Sequence, residues 1–315
     1  FDITYYNSTL RNQFLYVSTA NGESKPVNTG KIRNYGLEFS AGYRWNINHD
    51  WRWQTGFNFA WNDNRILETY KTESGAPYIV EMGTNAFKIK YIEGGRYGDI
   101  YVNSFARDEN GHIKINGAGD YENAVPVMES GKYETYVGNT TSPVTLGWNN
   151  TFSWKNFNLY FLIDGRIGGK VMSLTEPDLD LFGLSERSAH DRLKGERVTQ
   201  NGKEYVLKEL PDGSGNKVPV ENYYTTIGAY PMEDHVYNAT NLRMRDISLS
   251  YNFSNLLGKN TGLTAQFSIK NAFFIYKDSP IDPDISVSAA NGYSGIDCYS
   301  LPTTRSYALT LKFNF

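Results

Sequence analysis

The stretch "YALTLKFNF", residues Tyr307 to Phe315, decides how the rest of the sequence is interpreted. Its large apolar residues share one parity, and the residues between them are small or polar. Strict alternation with period two is typical of a β-strand with one apolar and one mostly polar face. The residues on the apolar parity are Tyr307, Leu309, Leu311, Phe313 and Phe315. The nature of the partner that covers this apolar face therefore determines the fold class.

The same alternation recurs in seven further segments, so the sequence predicts eight strands. In the segment 144–154, Asn150 is the one polar residue on the apolar parity. The predicted strands are 1–7, 35–45, 51–62, 144–154, 157–167, 247–253, 263–273 and 304–315.

Composition agrees with a β protein and excludes several other classes. The chain of 315 residues contains 24 Tyr, 17 Phe, 6 Trp and 29 Gly, a combination that favours strands over a helical core. The mean hydropathy is -0.52 and no run of 18 apolar residues occurs, which argues against a transmembrane helix. A net charge of -3 gives no basic surface for nucleic acid. The single cysteine, Cys298, excludes an internal disulfide and gives no metal cluster, so we expect no cofactor.

The connections between the predicted strands alternate in length. Residues 46–50, 155–156 and 254–261 are short connections, whereas 8–32, 63–142, 168–240 and 276–303 are long. Short turns at one edge and long loops at the other are typical of an antiparallel outer-membrane β-barrel. Aromatic residues collect next to the short turns, as an interfacial belt would: Trp45, Trp51, Trp154, Phe157, Phe253 and Phe315.

Two fold classes place the apolar parity differently. In a soluble β-sandwich it faces an internal core, and in a membrane barrel it faces lipid while the opposite parity faces the lumen. The loop lengths and the tryptophans favour the barrel. The polar parity then supplies candidate lumen-facing residues, namely Glu38, Arg44, Arg52, Gln54, Asn58, Asp164 and Arg166. Each of these also has a simpler interpretation as a hydrated position on a barrel wall.

The long loops contain local signals of their own. Asn110-Gly111 within "DENGHIKI" predicts a hairpin with a type I′ turn and is favoured over a calcium loop, because the glycine and distal Glu of an EF loop are missing. Residues 184–196 predict a short helix with Ser185 as a possible N-cap. Residues 279–288 contain two Pro-Asp turns, which we favour over a catalytic carboxylate pair. His190 has no nucleophile at a defined spacing, so we expect no enzymatic activity.

Several segments resemble the C-terminal third of the SusC/RagA family of TonB-dependent outer-membrane transporters. They keep the order found in that family and are distributed over nearly the whole chain. The segments are "GKIRNYGLEFSAGYRW" (30–45), "EGGRYGDIY" (93–101), "SPVTLGWNNTFSWKNFNLYFLIDGRIGGKV" (142–171), "ATNLRMRDISLSYNF" (239–253), "FSIKNAFFIYKDSPIDPDIS" (267–286) and the final "LPTTRSYALTLKFNF".

The resemblance implies more than the strand pattern does. It implies that residues 1–315 form the last eight strands of a 22-stranded barrel in the outer membrane of a Gram-negative bacterium. The plug domain and the segment that contacts TonB are then expected outside this chain. The implied function is import of oligosaccharides or peptides, with a SusD-like lipoprotein as a lid over the barrel. Outer-membrane lipid is an expected partner, and nucleic acid is not.

Further expectations concern individual residues and the two ends of the sheet. Tyr223, Tyr224, Tyr276 and Tyr293 are candidate ligand contacts in loops, although packing within the loops is the commoner role of such residues. The alternating residues Tyr307 to Phe315 resemble the signal read by the barrel-insertion machinery. A slice of a larger barrel predicts no ladder between residues 1–7 and 304–315, whereas a self-contained eight-stranded barrel with a structural or adhesion role requires one. A soluble secreted glycan-binding sandwich is the other alternative.

Overall fold

The computed structural model describes residues 1–18, 24–28, 30–72, 74–129, 131–229, 233–254, 261–287 and 294–314. Its largest element is an antiparallel sheet of eight strands whose spatial order follows the chain. Each of the six inner strands therefore pairs with the sheet strand before it and the sheet strand after it in sequence. The strands are β1 (Asp2–Arg11), β2 (Lys31–Asn46), β3 (Trp51–Glu68), β4 (Val144–Trp154), β5 (Phe157–Ile167), β6 (Asn241–Ser254), β7 (Gly262–Lys277) and β8 (Ser306–Asn314).

All eight predicted strands are present, and the all-β antiparallel fold class is confirmed. Strands β4 and β5 have the predicted bounds. Strand β3 continues six residues beyond its predicted end, to Glu68, and β2 begins four residues before its predicted start, at Lys31. These extensions lack apolar alternation but still pair with each other, because the ladder is held by backbone hydrogen bonds whatever the side chains are.

The sheet is open in the described part of the chain. Strand β1 pairs with β2, β8 pairs with β7, and no ladder joins β1 to β8. The predicted absence of pairing between the first and last strands is therefore confirmed. The self-contained barrel, which requires that ladder, is not what these strands form.

The short connections lie at one edge of the sheet. In the turn between β2 and β3, the Asn48 side chain accepts hydrogen bonds from the backbone N–H groups of Asp50 and Trp51, both at 2.9 Å. Strands β4 and β5 are joined by Lys155 and Asn156 alone, with Lys155 at a φ of 51°. The third short connection falls largely on residues 255–260, outside the described residues.

The long connections form a cap at the opposite edge, which we call the upper edge of the sheet. It contains three helices, α1 (Glu176–Leu181), α2 (Glu186–Lys194) and α3 (Val220–Gly228), and a 3₁₀ turn at Glu233–His235. The cap also holds a four-stranded sheet, two three-stranded sheets and several two-stranded pairs. Their strands are Phe14–Ser18, Ser24–Asn28, Val80–Gly83, Lys88–Tyr91, Asp99–Val102, Ser104–Phe105, Ile115–Asn116, Val125–Pro126, Met128–Glu129, Thr135–Asn139, Lys170–Ser173, Glu196–Gln200, Lys203–Glu209, Lys217–Pro219, Val236–Asn238 and Ile296–Asp297.

The buried apolar residues of the described chain collect in the cap. One cluster joins Ile32 and Ile66, at the upper ends of β2 and β3, to Phe87, Ile89 and Ile100 of the four-stranded sheet region. A second cluster surrounds α3. A soluble sandwich would require a buried core against the apolar face of the eight-stranded sheet, and neither cluster covers that face.

Two local predictions for the loops can be compared with the structure. The helix predicted over 184–196 is α2, and Ser185 caps it by accepting a hydrogen bond from the Ser188 N–H at 3.1 Å. The hairpin at Asn110-Gly111 is present, with the Asp108 N–H donating to the His112 carbonyl at 2.8 Å. The predicted type I′ turn is wrong, because Gly111 (φ 84°) has a positive φ and Asn110 does not.

Candidate functional site

The apolar parity forms one continuous face across the eight strands. Residues that pair directly across strands project to the same side of a sheet. One such row runs Ile3, Phe39, Phe59 and Leu146 across β1 to β4. Another runs Phe152, Leu159, Leu249, Phe267 and Leu309 across β4 to β8. The alternations recognised separately in the sequence are therefore in phase.

This apolar face is exposed. Leu249 is 50% exposed, Phe267 47% and Leu309 71%, although all three lie in the middle of their strands. An apolar surface that extends over eight strands is far larger than a soluble monomer normally presents to water. Such a surface is suited to contact with hydrocarbon.

A row of aromatic rings follows the short-turn edge of the same face. Trp51 stacks on Trp154 with ring centroids 5.6 Å apart, and Trp154 stacks on Phe157 at 6.0 Å. The row continues through Phe157 and Tyr251, whose centroids are 4.5 Å apart. We call Trp51, Trp154, Phe157 and Tyr251 the lower aromatic row. Aromatic rings collected at one height are typical of a membrane–water interface.

Asn150, the polar exception on the apolar parity, is fully buried. Its Oδ1 accepts a hydrogen bond from the indole N–H of Trp53 at 3.0 Å. It lies directly opposite Thr55 and Phe161 on the neighbouring strands. The exception therefore leaves the outer surface of the face apolar.

The seven candidate lumen-facing residues lie together on the opposite face. Cross-strand pairing places Asn58 opposite Gly147 and Gly147 opposite Asp164, and it relates the other candidates in the same way. Two of the arginines are held within this face: Arg44 donates to Gln54 at 3.2 Å, and Arg52 donates to Asn46 at 3.2 Å. The seven residues thus share one polar face of the sheet.

Near its upper edge the polar face contains an ion-pair cluster that ties a loop to the sheet. Arg243 of β6 contacts Asp282 at 2.6 Å, and Arg245 contacts Asp164 at 2.6 Å and Asp284 at 2.7 Å. Arg243 is 1% exposed, so its charge depends on these carboxylates. We call these five residues the Arg–Asp cluster.

The cluster decides between the two interpretations of residues 279–288. The Asp284 N–H donates to Asp282 Oδ1 at 3.0 Å, which is the turn chemistry expected at these prolines. Burial would raise the pKa of Asp282, but hydrogen bonds from Thr303 and from the Asp284 backbone, together with the Arg243 charge, hold it below its usual value. Both carboxylates are bound by arginine, so they do not form an acid–base pair. Sequence reasoning missed the arginines, although Arg243 and Arg245 interrupt the alternation of β6.

A cavity of about 630 Å³ adjoins the Arg–Asp cluster. Its lining is largely apolar and includes Leu184, Phe274 and Ile281, together with the cations Lys277 and Arg305. The carboxylates of Glu176, Glu186, Asp282 and Asp297 also line it, so the cavity is able to hold an apolar group beside charges of both signs.

The tyrosines expected to contact a ligand have other positions. Tyr223 and Tyr224 are buried in the second apolar cluster, where their hydroxyls donate to Asp234 at 2.5 Å and Asp191 at 2.6 Å. Burial raises the pKa of both phenols. Tyr276 was assigned to a loop, and that assignment is wrong, because it lies in β7 opposite Leu242 on the apolar face. Tyr293 lies outside the described residues, as does Phe315 of the proposed insertion signal.

The described residues show no arrangement for metal binding, since no group of three His, Cys, Asp or Glu side chains comes together among them. The His190 Nδ1 lies 3.5 Å from Asp191, whose carboxylate instead binds Lys208 at 2.6 Å. No described helix is long and apolar enough to cross a membrane.

Comparison with known proteins confirms the resemblance seen in the sequence. No family model matches the chain. The TonB-dependent receptor SusC of Bacteroides thetaiotaomicron is 24% identical over 300 residues, which cover 91% of this chain and 27% of the receptor. The TonB-dependent receptor P3 of Formosa agariphila is 23% identical over 313 residues, which cover 93% of this chain and 30% of that receptor.

Solved structures show the same fold. The RagAB peptide transporter superposes with a TM-score of 0.67 at 17% identity, over 98% of this chain and 32% of the transporter chain. The RagAB peptide importer in its open-open state gives a TM-score of 0.64 at 17% identity and covers 99% of this chain. The chain spans less than a third of the length of the curated relatives SusC and P3.

Proposed function

We propose that this chain is a section of the wall of a TonB-dependent importer in the outer membrane of a Gram-negative bacterium. The observation that carries the proposal is the exposed, in-register apolar face, bordered by the lower aromatic row, on a sheet whose two edge strands do not pair with each other. Hydrocarbon covers such a face and leaves the polar face toward a water-filled lumen. Glu38, Arg44, Arg52, Gln54, Asn58, Asp164 and Arg166 then line the lumen.

We further propose that residues 1–315 form the C-terminal part of the barrel and that the plug lies in another part of the protein. The coverage of SusC, P3 and RagAB supports this division, since each aligns with this chain over about a third of its length or less. Energy for import would then come from TonB through the part of the protein that carries the plug. The alternating residues of β8, Tyr307 to Phe313 with Phe315 beyond it, are proposed to form the barrel-insertion signal.

The proposed substrates are oligosaccharides or peptides, and the proposed lid is a SusD-like lipoprotein. The proposal of this lid rests on the resemblance to the SusC/RagA family, and RagAB is described as a peptide transporter. With Tyr223 and Tyr224 buried, the cavity beside the Arg–Asp cluster is a better candidate for substrate contact than those rings. Uptake of a labelled peptide mixture or of a labelled oligosaccharide mixture by cells with and without the gene tests the import function directly.

The orientation of the wall is tested by cysteine labelling in cells. In a Cys298→Ser background, single cysteines replace Phe57 and Phe161 on the apolar face, and Asn58 and Tyr160 on the polar face. A water-soluble maleimide is expected to label the polar-face cysteines, and a lipid-partitioning maleimide the apolar-face cysteines. Equal labelling of both faces by the water-soluble reagent contradicts the proposal.

A further inference from the structure

Two arginines face each other at the upper end of the apolar face. Arg33 of β2 and Arg65 of β3 are directly paired in the ladder. They lie on the same side of the sheet as the apolar face, beyond its upper end. The two rows of the same parity below them are Leu37 paired with Trp61 and Tyr35 paired with Asp63. Like charges placed directly opposite each other repel, so this pair destabilises the sheet unless an anion lies nearby.

The neighbouring carboxylates do not balance these charges. Arg33 donates to the Asn7 amide oxygen at 2.9 Å and lies over the Tyr35 ring at 5.1 Å, and no carboxylate lies within ion-pair distance of it among the described residues. Arg65 lies 4.0 Å from Asp63, but that carboxylate is bound more closely by Arg96, at 2.6 Å. Asp63 is therefore shared by Arg65 and Arg96, and Arg33 has no carboxylate partner among the described residues.

Two of the three arginines, Arg33 and Arg65, are exposed at the end of the apolar parity, whereas the Arg96 side chain is 22% exposed. The Arg65 side chain is 47% exposed, and the Arg33 side chain is exposed as well. The Arg96 side chain reaches Asp63 from the loop after Tyr91. This loop is held against β3, because the Gly94 N–H donates to the Ile66 carbonyl at 2.8 Å. Arg33, Arg65 and Arg96 thus form a triad with excess positive charge, which we call the arginine triad.

The height of the triad places it at a membrane surface. Trp61 lies ten residues beyond Trp51 of the lower aromatic row, which corresponds to roughly 26 Å along the membrane normal at about 3.4 Å per residue and a tilt of about 40°. This is close to the apolar band of about 25 Å found in outer-membrane barrels. Arg65 lies four residues further on, roughly 10 Å higher. Long arginine side chains at that height reach back to the headgroup layer.

We propose that the arginine triad binds the phosphate of a membrane lipid in the outer leaflet. Guanidinium groups bind phosphate through paired hydrogen bonds, and a phosphate supplies the negative charge that Asp63 alone does not. The acyl chains of the same lipid would lie on the apolar face directly below, against Leu37 and Trp61. The inference rests on the proposed membrane orientation of the sheet and does not depend on what the protein imports.

The test measures lipid affinity of the full-length receptor in detergent micelles. The probes are phosphatidylglycerol, the zwitterionic phosphatidylcholine, whose choline cation balances its phosphate, and inorganic phosphate as a competitor. The double variant Arg33→Gln/Arg65→Gln is expected to bind phosphatidylglycerol at least tenfold more weakly than the unaltered receptor, with binding of phosphatidylcholine unchanged. Arg44→Gln/Arg52→Gln is the matched control, since it removes two arginines from the polar face of the same strands, and its lipid affinity is expected to be unaltered.

The outcomes separate the proposal from its alternatives. The charge-retaining variant Arg33→Lys/Arg65→Lys is expected to show an intermediate affinity, and it covers the case in which the glutamine variant does not fold. Undiminished binding of phosphatidylglycerol by a folded glutamine variant, or an equal loss in the control, overturns the proposal. Displacement of the lipid by inorganic phosphate at equal concentration assigns the triad to soluble phosphate and overturns it as well. A wrong membrane orientation is detected independently by the cysteine labelling described above.

Discussion

Replacing Phe57 by Arg tests the orientation of the sheet through its energetics. Phe57 is on the apolar face, opposite Ala41 and Trp148, and its ring centroid lies 6.3 Å from that of Phe39. It is six residues from Trp51, which places it roughly 16 Å above the lower aromatic row in an apolar band about 25 Å tall. The substituted guanidinium would therefore lie in the middle third of the hydrocarbon.

The expected loss of stability has two parts. An arginine near the bilayer midplane of a β-barrel costs about 2–4 kcal/mol. Loss of the aromatic contact with Phe39 adds about 0.5–1.5 kcal/mol. Asn58→Arg places the same side chain one residue away on the polar face, where it remains in water, and is expected to cost less than about 1 kcal/mol. The difference of about 3 kcal/mol corresponds to roughly a hundredfold change in the folding equilibrium.

The assay compares both variants in the complete receptor folded into phospholipid vesicles. Guanidinium chloride titration followed by tryptophan fluorescence gives the unfolding midpoint, and the fraction assembled in cells is read from folded-barrel migration on cold detergent gels. A lower midpoint and a smaller assembled fraction are expected for Phe57→Arg alone. Equal losses for Phe57→Arg and Asn58→Arg would refute the assignment of the two faces.

Three further outcomes are expected. Arg243→Ala leaves Asp282 buried without its cation and is expected to destabilise the loop by about 3–5 kcal/mol, seen as faster proteolysis of residues 278–305 than in Arg243→Lys. The pKa of Asp180 is lowered, since hydrogen bonds from His235, Arg187 and Ser185 outweigh the effect of its burial. Its contribution to the free energy of unfolding is therefore complete above the unfolded pKa of about 3.9 and is lost as the pH falls through the lower folded pKa. The protection of the α1 and α2 amides against hydrogen exchange, relative to the intrinsic exchange rate at each pH, is expected to fall below about pH 4 in the unaltered protein but not in Asp180→Asn, and an equal fall in the variant would contradict the assignment. Ser185→Ala removes the N-cap of α2 and is expected to cost about 1 kcal/mol, measured as faster exchange of the Ser188 amide than in Ser185→Thr.

Much of the sheet was predictable because its signal is local. Alternation over ten or more residues fixes a strand and its two faces, which is why β4 and β5 have the predicted bounds. The phase was also predictable within the hairpins β2–β3, β4–β5 and β6–β7, since short turns leave little freedom in register. The upper ends of β2 and β3 were missed because their residues are not alternating and become strands only by pairing with each other.

The cap and the Arg–Asp cluster were not predictable from the sequence. The register of β6 shifts at Arg245, a β-bulge that depends on both neighbouring strands, and the shift directs two arginines toward loop carboxylates about 40 residues away. Tyr223 and Tyr224 become buried because α3 packs against residues more than 90 positions earlier in the chain, such as Phe105. Local patterns do not encode contacts at that separation.

The alternation of loop lengths has a consequence for the order in which the wall forms. The connection from β4 to β5 has two residues, whereas the connection from β3 to β4 runs from residue 69 to residue 143. The entropy of loop closure makes the second pairing less favourable by about 3 kcal/mol if the loop is an unstructured chain. Hairpins β2–β3 and β4–β5 are therefore expected to form before they pair with each other. The cluster containing Ile32 and Ile66 reduces this entropic cost. A loop that has already packed onto the upper end of the β2–β3 hairpin is no longer a free chain of that length. Packing of the cap is therefore expected to bring successive hairpins close together before they pair.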